Sequence, residues 1–109
     1  MGLRQNLELM LQRGQDSPLL RFSLGSECLK DRDYVAAVDH LRRAVEQNPA
    51  YSAAWKLLGE AYRSTGALDR ATEVYRQGIE IATAHGDVQA AKEMTVFLNR
   101  LSRTQEATP

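Results

Sequence analysis

The sequence predicts an all-α fold of stacked antiparallel helical hairpins, and three observations lead to this prediction. Apolar residues recur at spacings of three and four along most of the chain, which indicates amphipathic helices. Proline occurs only at positions 18, 49 and 109, outside the stretches with that spacing. Finally, a pattern returns after 34 residues, pairing Leu24-Gly25 with Leu58-Gly59, Ala37 with Ala71, Leu41 with Tyr75, Ala44 with Gly78 and Val45 with Ile79. A period of this length is typical of a two-helix repeat.

Composition narrows the classes of function. A chain of 109 residues is expected to form one domain. The 14 basic residues balance the 14 acidic ones, so no bulk field attracts nucleic acid or an anionic membrane. No apolar run reaches the roughly 20 residues of a membrane span. The single cysteine, Cys28, cannot form an internal disulfide, and polar residues interrupt the N-terminus. We therefore expect a cytoplasmic protein.

The first half of the chain predicts three helices. The N-terminal one covers 3–13, with Leu3, Leu7, Met10 and Leu11 on one face. Ser17 is a good N-cap and Pro18 suits the first turn, so a second helix should begin there and run to about residue 30. The third helix covers about 33–47, with Val35, Val38, Leu41, Ala44 and Val45 facing inward. Asn48-Pro49 ends it, because proline disfavours helical geometry in the residue before it.

The second half predicts three more helices. One covers about 52–64 and ends before Gly66, which can adopt the left-handed conformation that follows many helices. The next runs from 68 to about 84 and ends at His85-Gly86. Asp87 should cap a last helix from 88 to about 103. Residues 104–109 are polar and are expected to form a disordered tail.

The second 34-residue unit resembles the tetratricopeptide repeat. It reads Ala54-Trp55-Lys56-Leu57-Leu58-Gly59-Glu60-Ala61-Tyr62, followed by Gly66, Ala71, Tyr75 and Gly78. The family pattern has Trp, Leu-Gly and Tyr in its first helix, then Gly, Ala and an aromatic residue. The resemblance implies one domain over 1–109, a right-handed superhelical array in which repeat one covers 18–51, repeat two covers 52–85 and a capping helix covers 87–103.

Residue size along the two units is consistent with this resemblance. Small residues at Gly25 and Gly59 should lie where the two helices of each hairpin cross. Large residues, including Trp55 and Tyr75, should fill the space between hairpins, with Trp55 substantially buried. An ordinary helical bundle whose pattern recurs by chance is the alternative.

The resemblance implies a non-enzymatic adaptor or scaffold that binds protein in a concave groove lined by the first helix of each hairpin. In this register the partner-binding groove residues are Leu19, Phe22, Ser26, Leu29, Ala53, Lys56, Glu60 and Arg63. One half is apolar and the other charged, which suits a peptide or helix with an apolar anchor and an acidic residue. Alternatively, another helix covers Phe22 and Leu29, and Lys56 and Arg63 are ordinary solvated charges.

We find no catalytic constellation, cofactor site or metal site in the sequence. His40 is expected to be exposed, and His85 lies at a helix end where it can meet the last carbonyls. Among repeat proteins of this family, those that hold chaperone C-termini use Lys and Asn residues in the groove. Here Phe22, Ser26 and Leu57 replace three of them, so that function is not expected.

Partner identity stays open. The leading hypothesis is a protein or peptide ligand. The alternatives are self-association, through the apolar face of the N-terminal helix or an end of the stack, and service as an accessory subunit of an enzyme or larger complex. Two placements of helix 3–13 also remain: it caps the stack beside helix 18–30, or it folds back over the groove.

Overall fold

A computed structural model describes the backbone of residues 2–106 and the side chains of residues 2–104. Within these residues all regular structure is helical. The helices are α1 (Leu3–Gln12), α2 (Pro18–Lys30), α3 (Tyr34–Gln47), α4 (Ser52–Ser64), α5 (Leu68–Ala84) and α6 (Val88–Glu106). The prediction of an all-α fold is confirmed.

Residues at the helix ends account for where the helices begin and stop. The Ser17 hydroxyl accepts a hydrogen bond from the Leu20 amide at 3.1 Å, with Pro18 at the first position of α2. The Asp87 carboxylate likewise accepts a hydrogen bond from the amide of Ala90, the third residue of α6, at 3.1 Å. Gly66 has a φ of 83° after α4, as predicted, whereas the residue 34 positions earlier is Arg32, with a φ of 59°. Arg32 thus adopts a left-handed conformation that costs a side chain roughly 1–2 kcal/mol.

The last helix is longer than the sequence predicted. It continues to Glu106, so the prediction of a disordered tail is wrong for residues 104–106. A run of good helix formers, including Arg103 and Gln105, carries no stop signal there. The remainder of the predicted tail, 107–109, lies outside the described residues.

The helices stack in chain order as alternating first and second members of hairpins. Helices α2 and α3 form one hairpin, and α4 and α5 form the next. Each second helix also packs on the following first helix, α3 on α4 and α5 on α6. The first helices touch along one side, α2 with α4 and α4 with α6. Helix α1 contacts α2 and no other described helix, which matches the capping placement rather than a position over the groove.

Close crossings within each hairpin depend on glycine. A Cβ atom added to Gly25 would lie 2.5 Å from Cγ of Leu41, and one added to Gly59 would overlap the ring of Tyr75. Leu41 and Tyr75 are both fully buried. The prediction that Gly25 and Gly59 lie where the two helices of each hairpin cross is therefore confirmed.

The expectations for Val35 and His40 were wrong, whereas Trp55 is largely buried, as expected. Val35 was expected to face inward but is 81% exposed, because it lies two positions before buried Ala37, about 200° around the helix, and so points to the opposite face. Trp55 packs against the core without being fully buried, and its indole N–H donates to the Pro49 carbonyl at 2.8 Å. His40 is half-buried rather than exposed, because Arg21 lies against it, with Nη1 3.2 Å from Nδ1.

Candidate functional site

The candidate site is the face formed by the first helices α2, α4 and α6, which we call the groove face. The predicted groove residues are carried by α2 and α4. The same layer also contains α6, which the sequence interpretation treated only as a cap.

The apolar half of the predicted groove is partly covered by the fold itself. Leu19 is 66% exposed and stands at the start of α2. Phe22 stacks on Tyr51, with ring centroids 5.0 Å apart. Leu29 is half-buried and packs against the core. Leu19 is therefore the accessible apolar group of this half, with Phe22 beside it as a partly exposed ring. Ser26 is half-buried as well.

In the charged half, Lys56 is already paired. Its ammonium group lies 2.7 Å from a carboxylate oxygen of Glu93 on α6. Gln89 donates to the other oxygen of that carboxylate at 3.0 Å. The hydrogen bond from Lys56, and then that from Gln89, hold the pKa of Glu93 below its usual value. Lys56 therefore ties α4 to α6. Ala53 and Glu60 are half-buried on the same helix.

Arg63 differs from Lys56 because it borders a pocket. This pocket has a volume of about 300 Å³ and lies where the ends of α4 and α6 meet the start of α5. We call it the arginine pocket, and its lining consists of Arg63, Leu68, Phe97, Arg100, Leu101 and Thr104. The Arg100 guanidinium carbon lies 5.8 Å from the centre of the Phe97 ring. Neither Arg63 nor Arg100 forms an ion pair with another residue whose side chain is described.

Tyr75 lies beside this pocket. Its ring stacks against Phe97 at 5.8 Å and is fully buried. Its hydroxyl is buried without a hydrogen-bond partner among the described residues. Burial raises the pKa of this hydroxyl, and the nearby Arg63 guanidinium partly offsets that rise. The guanidinium groups of Arg63 and Arg100 thus lie at the edge of a pocket with apolar walls, and the buried Tyr75 hydroxyl lies nearby.

Sequence reasoning missed the residues that α5 and α6 contribute to this face. Glu93, Phe97 and Arg100 belong to α6, and Leu68 begins α5. Reading α6 as the first helix of a third unit would have placed its residues in the same layer as α2 and α4. The signal was weak, because α5 has 17 residues where α3 has 14, so the 34-residue spacing fails at α6.

The His and Cys side chains of the described residues are the candidates for metal ligands or reactive groups. No group of three or more His, Cys, Asp and Glu side chains among them could hold a metal ion. Burial raises the pKa of the Cys28 thiol, and burial with the nearby Arg21 charge lowers the pKa of His40. His85 lies at the end of α5, with Nδ1 2.9 Å from the Ile81 carbonyl oxygen. Among the described residues, none of the helices combines the length and apolar character that crossing a membrane requires.

Comparison with known protein families and sequences gives one answer. The family model described as tetratricopeptide repeat matches residues 29–94. A TPR repeat-containing protein of Pseudomonas aeruginosa is 50% identical over 101 residues, covering 93% of this chain and 96% of that protein.

Solved structures agree in fold. A protein of Bordetella parapertussis, solved in solution, has a TM-score of 0.87 and 38% identity, covering 99% of this chain and 94% of its own. A tetratricopeptide repeat domain protein of Salinibacter ruber has a TM-score of 0.73 and 28% identity, covering 79% and 87%. The first TPR of Spaghetti (RPAP3), bound to the HSP90 peptide SRMEEVD, has a TM-score of 0.74 at 18% identity, covering 96% and 91%.

Proposed function

This chain belongs to the tetratricopeptide repeat family, and we propose that it is a non-enzymatic adaptor that binds a peptide or helix of another protein on the groove face. The observation that carries the proposal is the arginine pocket. Arg63 and Arg100 border one cavity and form no ion pair with a described side chain. A guanidinium group binds a carboxylate through paired, charge-assisted hydrogen bonds.

The lining of the pocket indicates the chemistry of the ligand. Phe97 and Leu101 provide an apolar floor beside the two arginines. A suitable ligand therefore has an acidic group next to an apolar side chain. A second apolar residue of the same ligand would contact Leu19 and the exposed part of Phe22, at the other end of the face. The two ends together favour an extended ligand over a single anchored residue.

Lys56 has a different role in this proposal. Because it is paired with Glu93, a ligand carboxylate must displace an existing partner to reach it. The Spaghetti neighbour is bound to a peptide that also carries acidic residues. That likeness, at 18% identity, concerns the fold. In this chain Phe22 and Leu57 stand where the chaperone-binding members have Lys and Asn, so we propose that Arg63 and Arg100 hold the acid instead.

We also propose a cytoplasmic location. What supports it is the cysteine usage: the single cysteine of the chain, Cys28, is fully buried in the core as a free thiol. Reducing conditions keep such a thiol intact.

Peptides selected from a phage-displayed library on the wild-type protein test the proposal. Their affinities are measured by fluorescence anisotropy against Arg63→Glu, Arg100→Glu and Phe22→Ala. Arg76→Glu on α5 is the matched control, because Arg76 is exposed and does not border the arginine pocket. We expect selected peptides to contain an acidic residue, and both pocket reversals to weaken binding by about tenfold or more. The loss should be larger at low salt, because exposed charges are screened.

Circular dichroism of each variant controls for folding. Peptides that bind Arg63→Glu and Arg100→Glu as tightly as they bind the parent would contradict the proposed site. Equal weakening by Arg76→Glu would mean that overall charge, and not the pocket, controls binding.

A further inference from the structure

Helix α1 continues the 34-residue pattern towards the N-terminus. Its apolar residues Leu3, Leu7, Met10 and Leu11 stand 34 positions before Ala37, Leu41, Ala44 and Val45 of α3. Helix α3 is the second helix of its hairpin and packs between α2 and α4. Helix α1 therefore corresponds to the second helix of a repeat, and no described helix occupies the first position before it.

The matching apolar residues of α3 and α1 differ in exposure, as expected if α1 lacks the first helix of its hairpin. Ala37, Leu41 and Ala44 are fully buried, because they face the first helix of their own hairpin. On α1 the matching residues have no such helix, and Leu3 is 57% exposed and Met10 40% exposed. The side of α1 that contacts α2 is less exposed, with Leu11 half-buried. Helix α1 thus keeps one apolar edge uncovered.

Helix α6 has the opposite deficit. The first helix α4 packs against two second helices, α3 on one side and α5 on the other, whereas α6 packs against α5 and no described second helix covers its other side. An open groove of about 540 Å³ runs beside it. Its walls are mainly apolar side chains, namely Ile79 and Thr83 of α5 with Val88, Ala91, Thr95 and Val96 of α6. Val88 is 59% exposed and Val96 48% exposed.

Residue sizes on α1 and α6 are complementary at one of the two matching contacts. The buried Ala90 and Met94 of α6 match Ala54 and Leu58 of α4, which places Ala91 where α4 has Trp55 and Thr95 where it has Gly59. In the α4–α5 hairpin, Trp55 lies against Gly78, and Gly59 lies against Tyr75. On α1 the residues matching Gly78 and Tyr75 are Met10 and Leu7. The pair Trp55–Gly78 would become Ala91 with Met10, again one small and one large residue. Thr95 would meet Leu7 without the glycine of the Gly25–Leu41 and Gly59–Tyr75 crossings, so the two helices would stand farther apart at that point.

We propose that α1 of one copy of this chain packs into the α6 groove of a second copy, so that the two helices complete a hairpin. The ten residues of α1 span about 15 Å, close to the length of the groove from Val88 to Val96. Lys92 is the charged residue lining the groove, and the Glu8 side chain on α1 is 46% exposed beside Arg4 at 3.6 Å, so Lys92 would share that carboxylate with Arg4. The contact is head-to-tail and joins different surfaces, so each dimer keeps an unoccupied α1 edge at one end and an unoccupied α6 groove at the other, to which further copies add.

The ion pairs of Arg4 keep α1 on its own chain in this arrangement. Arg4 contacts Asp33 at 2.8 Å and Asp31 at 3.1 Å, in the turn between α2 and α3. These contacts leave the Leu3–Met10 edge uncovered, so association does not require α1 to leave α2.

Sedimentation equilibrium of the full chain tests the proposal, from about 10 µM to about 1 mM, the range expected for a small interface. The wild type should rise above the monomer mass of 12.2 kDa as concentration increases. Met10→Lys disables the α1 edge, and Thr95→Lys fills the α6 groove. Each variant alone should associate at least about tenfold more weakly, because a charge is placed in an apolar contact. Val35→Lys, on an exposed residue of α3, is the matched control.

Mixing the two variants separates this contact from a symmetric one. Met10→Lys keeps an intact groove and Thr95→Lys keeps an intact α1, so the mixture has one working contact and should form a 1:1 dimer that grows no further. A wild type that stays monomeric to about 1 mM would overturn the proposal. So would a mixture that stays monomeric while each variant is folded by circular dichroism, or single variants that associate as the wild type does.

Discussion

Replacing Gly59 by alanine tests how closely the two helices of the second hairpin approach. A Cβ atom at this position would lie 2.6 Å from Cζ and 2.7 Å from Cδ1 of Tyr75, with Cε1 nearer still. The Tyr75 ring is fully buried and is stacked against Phe97 on α6, so it has little room to move away. Separating α4 from α5 would instead disturb the hairpin.

The expected effect is the difference of two terms. Overpacking a tight core costs about 1–3 kcal/mol, and the rigid surroundings of Tyr75 place this site near the upper end. Alanine improves helix propensity over glycine by about 1 kcal/mol. The net loss should be about 2 kcal/mol, or roughly 8–16 °C in melting temperature for a domain of this size. Urea unfolding followed by circular dichroism at constant m-value measures it.

Gly78→Ala is the matched control in the same hairpin. Its closest neighbours would be the Met94 sulfur at 2.5 Å, whose thioether side chain can rotate away, and Cβ of Trp55 at 3.0 Å, which needs a smaller shift. The loss there should be less than half as large. In a Tyr75→Ala background, which removes the ring, the effect of Gly59→Ala should shrink by more than about 1 kcal/mol, which a double-mutant cycle detects. A Gly59→Ala protein as stable as its parent would refute this view of the crossing.

Further predictions concern the rest of the array. Trp55→Ala should cost about 2–3 kcal/mol in urea unfolding, below the range for a fully buried Trp, because the ring is not fully buried. Arg32→Gly should raise the unfolding free energy by up to about 1 kcal/mol, since it relieves the left-handed conformation that Gly66 adopts without strain. Hydrogen bonds from Arg21 and Gln47 lower the pKa of Asp16 to about 2. Its stabilising effect is therefore present above the unfolded pKa near 4 and is lost as pH falls towards 2, and Asp16→Asn should remove that part of the acid transition. Deleting residues 2–14 should lower the thermal midpoint without raising ligand affinity, because α1 packs beside α2 rather than over the groove face.

Much of the fold could be predicted because it depends on local sequence signals. Ser17 and Pro18 start α2, Gly66 ends α4, and the pairing of Gly25 with Leu41 fixes how closely α2 and α3 cross. These signals act over a few residues or one repeat period. The inward direction predicted for Val35 failed because the residue is apolar yet lies on the outer face of α3.

The candidate site was less predictable because it depends on contacts between repeats. Lys56 and Glu93 are 37 residues apart, and no spacing rule connects them. The arginine pocket needs the end of α4 beside the end of α6, which depends on the length of α5 between them. The two arginines are therefore ordinary surface charges in the sequence, and they become a pair only through packing.

The Lys56–Glu93 ion pair also has a mechanical consequence. Most contacts in this array join helices that follow one another in the chain, so a force pulling on the C-terminal end would peel helices away one after another. The Lys56–Glu93 bond spans α5, so α6 cannot be pulled off without also breaking its tie to α4. The force needed to detach α6 should fall with rising salt, because the Lys56 and Glu93 side chains are partly exposed and salt screens their attraction. With the ion pair formed, α4, α5 and α6 resist the pulling force together, whereas without it each helix would detach separately.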